Sequence, residues 1–136
     1  MAFVDNSRCW LCGNFNPHGF QLRFRKEGDD TVTETVVPWY YQGFEGVVHG
    51  GMVAALLDEV MSHAVKATGE IAVTGTLEVK FLRPCRTEEP VTLRGRVIEK
   101  KGRLLEARGE VVQNGEVVAE GKGIFVIPKE GVKKNG

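Results

Sequence analysis

The sequence predicts an α+β fold, one long apolar helix packed on an antiparallel sheet of about six strands. Three observations carry that expectation. Residues 50–66 have helical periodicity, and the segments around them alternate with period two. The later strands follow one another across short turn signals, which forces neighbours to run antiparallel. With 136 residues the chain has room for one domain, 1–136, with an N-terminal segment at 1–18 and a polar tail at 129–136 expected to be disordered.

Taken in order, FQLRFR (20–25) alternates like a short strand and GDD (28–30) reads as a turn. TVTETVV (31–37) is rich in β-branched residues and ends at Pro38, a second strand. PWYYQGFEGVVH (38–49) reads as an ordered loop with three consecutive aromatic residues. The helix starts at Gly50 and runs to about Lys66, with Gly69 as its stop. IAVTGTLEVKFL (71–82) alternates, with Val73, Leu77, Val79 and Phe81 on one face. VTLRGRVIEK (91–100), RLLEARGEVVQ (103–113) and EVVAEGKGIFVI (116–127) follow, joined by Lys101-Gly102 and by Asn114-Gly115, a strong hairpin signal. Gly121 and Gly123 share a side with Val117, Ala119, Phe125 and Ile127. Missing side chains there leave room for a close backbone, and the helix is the expected occupant.

Composition excludes several function classes. Eighteen basic residues balance eighteen acidic ones, so no nucleic-acid or anionic-membrane surface is expected. The opening MAFVDNSRCW has no basic region followed by an apolar run, and no stretch nears the ~20 apolar residues of a membrane span. Three cysteines, Cys9, Cys12 and Cys85, fit a reducing compartment. The expected location is cytoplasmic.

The helix carries two adjacent acids. At about 100° per residue, Glu59, Ser62, His63 and Lys66 form one solvated stripe. Asp58 lies off that stripe, among Ala54, Ala55, Met61, Ser62 and Val65. A carboxylate in such a setting needs a partner, or its pKa rises. It reads either as a helix-edge residue bonded to a neighbour or as a general base. His49-Gly50-Gly51 at the helix start leaves backbone N–H groups bare at the positive end of the dipole, suited to a polarised carbonyl oxygen. An acid and an oxyanion donor together point to attack on a carbonyl.

The segment YQGFEGVVHGGMVAALLDEVM resembles the xQGxxGxVHGGxxxxLLDxxM block of hotdog-fold acyl-CoA thioesterases of the phenylacetate-degradation (PaaI-type) group. CWLCGNFNPHGFQLRF and VTGTLEVKFLRPC extend the likeness over nearly the whole chain. The resemblance implies a sheet wrapped around a central helix, homodimers or homotetramers, and an active site at the dimer interface. It implies hydrolysis of acyl-CoA to a carboxylic acid and coenzyme A, without a cofactor. Asp58 would be base or nucleophile. The amides of Gly50 and Gly51 would polarise the carbonyl, His49 would shape the helix start or contact the substrate, and Thr74 would help position water. Relatives place an asparagine or glutamine six positions before the histidine. Here Gly43 stands there, with Gln42 beside it, and both are candidates for that substrate contact, Gln42 by a shifted turn.

Other residues are weighed beside these. Tyr41 and Phe44, with Trp39 and Tyr40, are candidates for an acyl pocket, and Arg83, Lys101 and Arg103 for the coenzyme A phosphates, with Lys100 and Arg86 near them. Cys9-x-x-Cys12 with His18 invites a zinc reading, but only Cys85 or His49 is left as a fourth ligand, so two packed thiols and no metal are expected. GNFNPHG (13–19) is similar only superficially to a hotdog hydratase signature, and Asp58 and His63 repeat a hydratase spacing. Hydratase or dehydratase, and a non-catalytic acyl-CoA binding module, are the alternatives.

Overall fold

A computed structural model describes residues 3–129 and 132–134. The elements are β1 (Phe3–Asp5), β2 (Arg25–Glu27), β3 (Asp30–Val36), a 3₁₀ turn (Trp39–Tyr41), α1 (Gly50–Lys66), β4 (Val73–Phe81), β5 (Pro90–Lys101), β6 (Leu104–Gln113), β7 (Glu116–Val126) and β8 (Val132–Lys134). Strands β2-β3-β5-β6-β7-β4 form one antiparallel six-stranded sheet in that order, and α1 packs across its face. This is the sheet-around-helix arrangement that the resemblance implied. No helix among the described residues is long and apolar enough to cross a membrane.

The helix runs between the bounds its sequence signals gave. His49 caps it, and Gly69, at φ +94°, lies in the left-handed region that ends it. Met52, Val53, Leu56, Leu57, Val60, Met61, Ala64 and Val65 are its buried stripe. Their counterparts on the sheet include Val32, Leu93, Leu105, Ala107, Val111 and Phe125. Each fully buried aliphatic side chain of this kind contributes roughly 1.5–3 kcal/mol.

Glycines bring the helix close, at Gly121 as expected and also at Gly95 and Gly109, whereas at Gly123 the Phe125 ring takes the space first, at 2.7 Å. Gly95, Gly109 and Gly121 pair across β5, β6 and β7. A Cβ on Gly95 would come within 2.9 Å of the Val60 carbonyl oxygen, and one on Gly121 within 3.2 Å of Met61 Cε. The helix backbone occupies the volume at Gly95, and the Met61 and Leu57 side chains occupy it at Gly121.

Some expected elements shift. Residues 20–24 lie outside the ladder, with Gln21 at φ +55°, and the strand is Arg25–Glu27. Phe20 and Leu22 give their N–H groups to the Trp10 and Leu11 carbonyls, and Thr33 Oγ1 donates to the Arg23 carbonyl. The alternation there reflects a segment buried under the N-terminal loop. The β5–β6 turn is Gly102-Arg103, one residue later than read, with Gly102 at φ +58°. Asn114 and Gly115 are both at positive φ, the two-residue hairpin the sequence signals. Of the tail, Val132–Lys134 pairs parallel with Phe3–Asp5, and residues 130, 131, 135 and 136 lie outside the described residues.

Strand β4 departs most. It is an edge strand, paired with β7 alone, and Leu77 and Phe81 are 37% and 57% exposed. A β-bulge interrupts its register between Thr74 and Thr76. Directly opposed residues point to the same side of a sheet. Thr74 opposes Phe125 and Leu77 opposes Gly123, both on the helix face, whereas Val73 opposes Val126. The bulge therefore puts Thr74, not Val73, on the face with Leu77, Val79 and Phe81. Gly75 sits in it, where a Cβ would meet Val126 Cγ2 at 3.0 Å.

Candidate active site

The loop before the helix is tied down on both sides. Gln42 bridges Val48, Val47 bridges Arg86, and the Val48 N–H donates to the Cys85 carbonyl at 2.7 Å. Gln113, buried, fixes segment 86–89 by accepting from the Arg86 N–H and donating to the Arg86 and Glu89 carbonyls. A rigid frame thus delivers His49 to the helix start, its N–H bonded to the Tyr41 carbonyl.

His49 Nδ1 accepts the Gly51 N–H at 2.9 Å. That bond corrects the expectation that Gly51 shares in polarising a carbonyl, because its N–H already has a partner. The Gly50 N–H has no hydrogen-bond partner among the described residues. It stands at the first position of the helix, where the dipole is positive. Both residues are exposed, and a Cβ on Gly50 would lie 3.5 Å from Phe81 Cζ.

Asp58 is half-buried on the flank of the helix that faces β4. The Thr74 hydroxyl, aimed inward by the bulge, donates to Asp58 Oδ1 at 2.6 Å. Desolvation raises the Asp58 pKa above the ordinary carboxylate range, the Thr74 bond opposes the rise, and the neighbouring Glu59 charge adds to it. The structure therefore seats Thr74 on the acid itself, whereas the resemblance had it positioning water.

Asp58 and Gly50 are eight residues apart on one helix, and at 1.5 Å per residue that is about 12 Å. Within one chain the two groups lie at opposite ends of β4, with Thr74 and Asp58 at one and Phe81 and Gly50 at the other.

The residues expected to bind substrate divide. Gln42 Oε1 accepts the Gly46 N–H at 3.0 Å and closes the turn through Gly43, whose own N–H donates to the Val47 carbonyl. Gln42 thus shapes the loop from its exposed position. Tyr41 packs against Phe20 with ring centroids 5.1 Å apart, while Phe44 is 86% exposed at the loop tip. Arg83 pairs with Glu116 at 3.0 Å, Lys101 lies 3.5 Å from Glu99, and Arg103 donates to the Ile127 carbonyl. In one chain Arg83 is at the Gly50 end, and Lys101 and Arg103 are at the Thr74 end. The structure does not gather these three.

Glu59 and His63 are not on a solvated stripe. The N-terminal segment and Phe24 cover them, and Phe24 stacks on the His63 ring with centroids 3.9 Å apart. His63 Nε2 lies 3.3 Å from Glu59 Oε1, and Cys9 Sγ lies 3.4 Å from Glu59 Oε2. Burial pushes the Glu59 carboxyl up, but His63, by hydrogen bond and charge, and then Cys9 and Cys12 outweigh it and hold it low. Asp58 and His63 do not form the pair a hydratase spacing suggested.

Comparison with known proteins agrees with this fold. The family described as "Thioesterase superfamily" matches residues 45–120, more than half of the chain. The crystal structure of protein RHA08564, a thioesterase superfamily protein, superposes with a TM-score of 0.83 at 29% identity, over 88% of this chain and 60% of that one. A mutant of the phenylacetic acid degradation protein PaaI from Thermus thermophilus superposes at 0.69 and 26% identity, over 77% of this chain and 92% of that one. The acyl-coenzyme A thioesterase THEM4 of Bos taurus is 26% identical over 112 residues, 79% of this chain and 46% of THEM4. Over about half of its length, then, THEM4 has no counterpart in this sequence. The helix, the sheet and the family match together establish that the chain belongs to the thioesterase superfamily.

Proposed function

We propose that this protein hydrolyses acyl-CoA thioesters to a carboxylic acid and coenzyme A, at a site completed by two copies of the chain. The observation that carries the reading is the division of the site. The half-buried Asp58 with its Thr74 partner sits at one end of an unpaired strand edge, and the bare Gly50 N–H sits at the other. If two β4 edges pair antiparallel about a two-fold axis near Leu77 and Glu78, the Thr74 end of each meets the Phe81 end of its partner. Asp58 of one copy then faces Gly50 of the other, twice per dimer. The pairing also covers the open edge with its exposed Leu77 and Phe81, surfaces that an isolated chain would leave prone to aggregation. It brings Arg83 of one copy to the same end as Lys101 and Arg103 of the other, where the coenzyme A phosphates would need cations.

In this reading the Gly50 N–H donates to the thioester oxygen and stabilises the oxyanion as it forms. Asp58 Oδ1 is held by Thr74, and Oδ2 is left to take a proton from water as the hydroxyl attacks the acyl carbon. The C–S bond breaks, and that proton passes to the departing thiolate. Direct attack by the carboxylate would use the same two half-sites through an anhydride. The acyl group would lie along the loop bearing Tyr41, Gly43 and Phe44. The family match and the likeness to an acyl-coenzyme A thioesterase support hydrolysis over hydration.

The test is thiol release from a panel of phenylacetyl-, hydroxybenzoyl- and fatty acyl-CoAs. At least one should turn over, and Asp58→Asn should stop it. Tight binding without turnover of any of them would instead favour a non-catalytic acyl-CoA binding module.

A further inference from the structure

The N-terminal segment brings a second set of reactive groups to the other flank of the helix. Cys9 Sγ, Cys12 Sγ and a Glu59 carboxylate oxygen all lie within 4.8 Å of one another. The Cys9 thiol donates to Glu59 Oε2 at 3.4 Å. The turn is closed tightly by the Gly13 N–H on the Cys9 carbonyl at 2.8 Å. A Cβ on Gly13 would come within 2.4 Å of the Cys9 nitrogen, so only glycine lets the backbone wrap around the sulfur in this way.

We infer that Cys9, Cys12 and Glu59 form a binding site for one divalent ion of the zinc class, which clamps the N-terminal segment onto α1. Two thiolates and a carboxylate are the ligand set a borderline-soft ion takes. The Cys9 to Glu59 distance of 3.4 Å is close to the ~3.5 Å edge of a tetrahedron with zinc–sulfur and zinc–oxygen arms. His63, at 3.3 Å from the other Glu59 oxygen and stacked on Phe24, orients the carboxylate from behind. The fourth position faces a cavity of about 170 Å³ lined by Asp5, Ser62, Lys66 and Glu70 among others. Binding would replace the thiol protons, and the ion would then offset the charge of two thiolates and a carboxylate held in a half-buried space. His18, Cys85 and His49, the further ligands that sequence offers, are not in this cluster, and the structure supplies Glu59 instead, which periodicity places in solvent.

The experiment is metal uptake by the reduced, EDTA-treated full chain, with cobalt(II) as spectroscopic probe and zinc(II) as competitor. The expected result is stoichiometric uptake with a thiolate-to-cobalt charge-transfer band that zinc bleaches. Cys9→Ser and Cys12→Ser should each abolish the band. His63→Ala should keep it while weakening binding ~10–100-fold, as loss of an orienting partner does. Glu59→Gln, nearly isosteric, should weaken binding further and carries the test where a serine variant does not fold. His18→Ala, outside the cluster, should change nothing. The inference is overturned if the reduced chain shows no stoichiometric band. It is equally overturned if the band survives Cys9→Ser, or if Cys9 and Cys12 only close into a disulfide.

Discussion

Asp58 and Glu59 are adjacent carboxylates on one helix, and their surroundings drive them in opposite directions. Asp58 turns toward an open strand edge half-buried, and desolvation raises its pKa against the single Thr74 donor. Glu59 turns under the N-terminal segment, where His63 and two thiols hold it low despite burial. A 100° rotation separates an acid suited to exchanging a proton from one suited to staying charged. What differs is the number and chemistry of the partners, not the depth of burial alone.

The sharpest way to break the comparison is to exchange the two acids for amides. Asp58→Asn should lower kcat by ~10²–10⁴, the range of a lost general base, with a melting temperature equal to or above the parent's. Glu59→Gln in the metal-free chain should do the reverse, leaving kcat nearly unchanged and costing ~1–3 kcal/mol by denaturant unfolding. Large losses of turnover from both would mean that the two carboxylates are not functionally distinct.

Next in size is Gly50→Pro. Proline suits the first position of a helix, and His49, at φ −56° and ψ 137°, already has the conformation a following proline demands. The variant removes one N–H and should lower kcat ~10²–10³ without unfolding. Gly50→Ala keeps the N–H and should retain most activity.

Smaller effects come from pH. Asp58 has a raised folded pKa, so its contribution to stability is present when protonated, below the unfolded value. It is lost as pH climbs from the ordinary carboxylate range through the folded value. Glu59 has a lowered folded pKa, so its contribution is present above the ordinary range and is lost as pH falls through the folded value. The acid limb of the rate profile follows the carboxylate that must be ionised. Thr74→Val removes the one donor that favours the Asp58 anion, and should move that limb to higher pH in the EDTA-treated chain. An unmoved limb would detach Thr74 from the base.

Much of the fold was legible because local signals agreed with one another. The helix bounds followed from His49-Gly50 and Gly69, and the last hairpin followed from Asn114-Gly115. Segment 20–24 misled because the N-terminal loop, remote in sequence, takes its backbone bonds. The candidate site was legible as residue types, Asp58, Gly50 and Thr74, but not as geometry. Strict alternation puts Val73 on the helix face, and only the bulge at Gly75 replaces it with Thr74. Periodicity likewise placed Glu59 in water because it says nothing of what a distant segment will cover. That Gly51 is held by His49 depends on a side-chain rotamer no spacing reveals.

The central claim is that the acid and the oxyanion donor act across a dimer. The direct measurement is complementation between two inactive chains, Asp58→Asn and Gly50→Pro, co-expressed with different tags and isolated as mixed dimers. In a mixed dimer one site pairs an intact Gly50 with an intact Asp58, so about half of the wild-type rate per dimer should return. A mixed dimer no more active than its two parents would contradict the account.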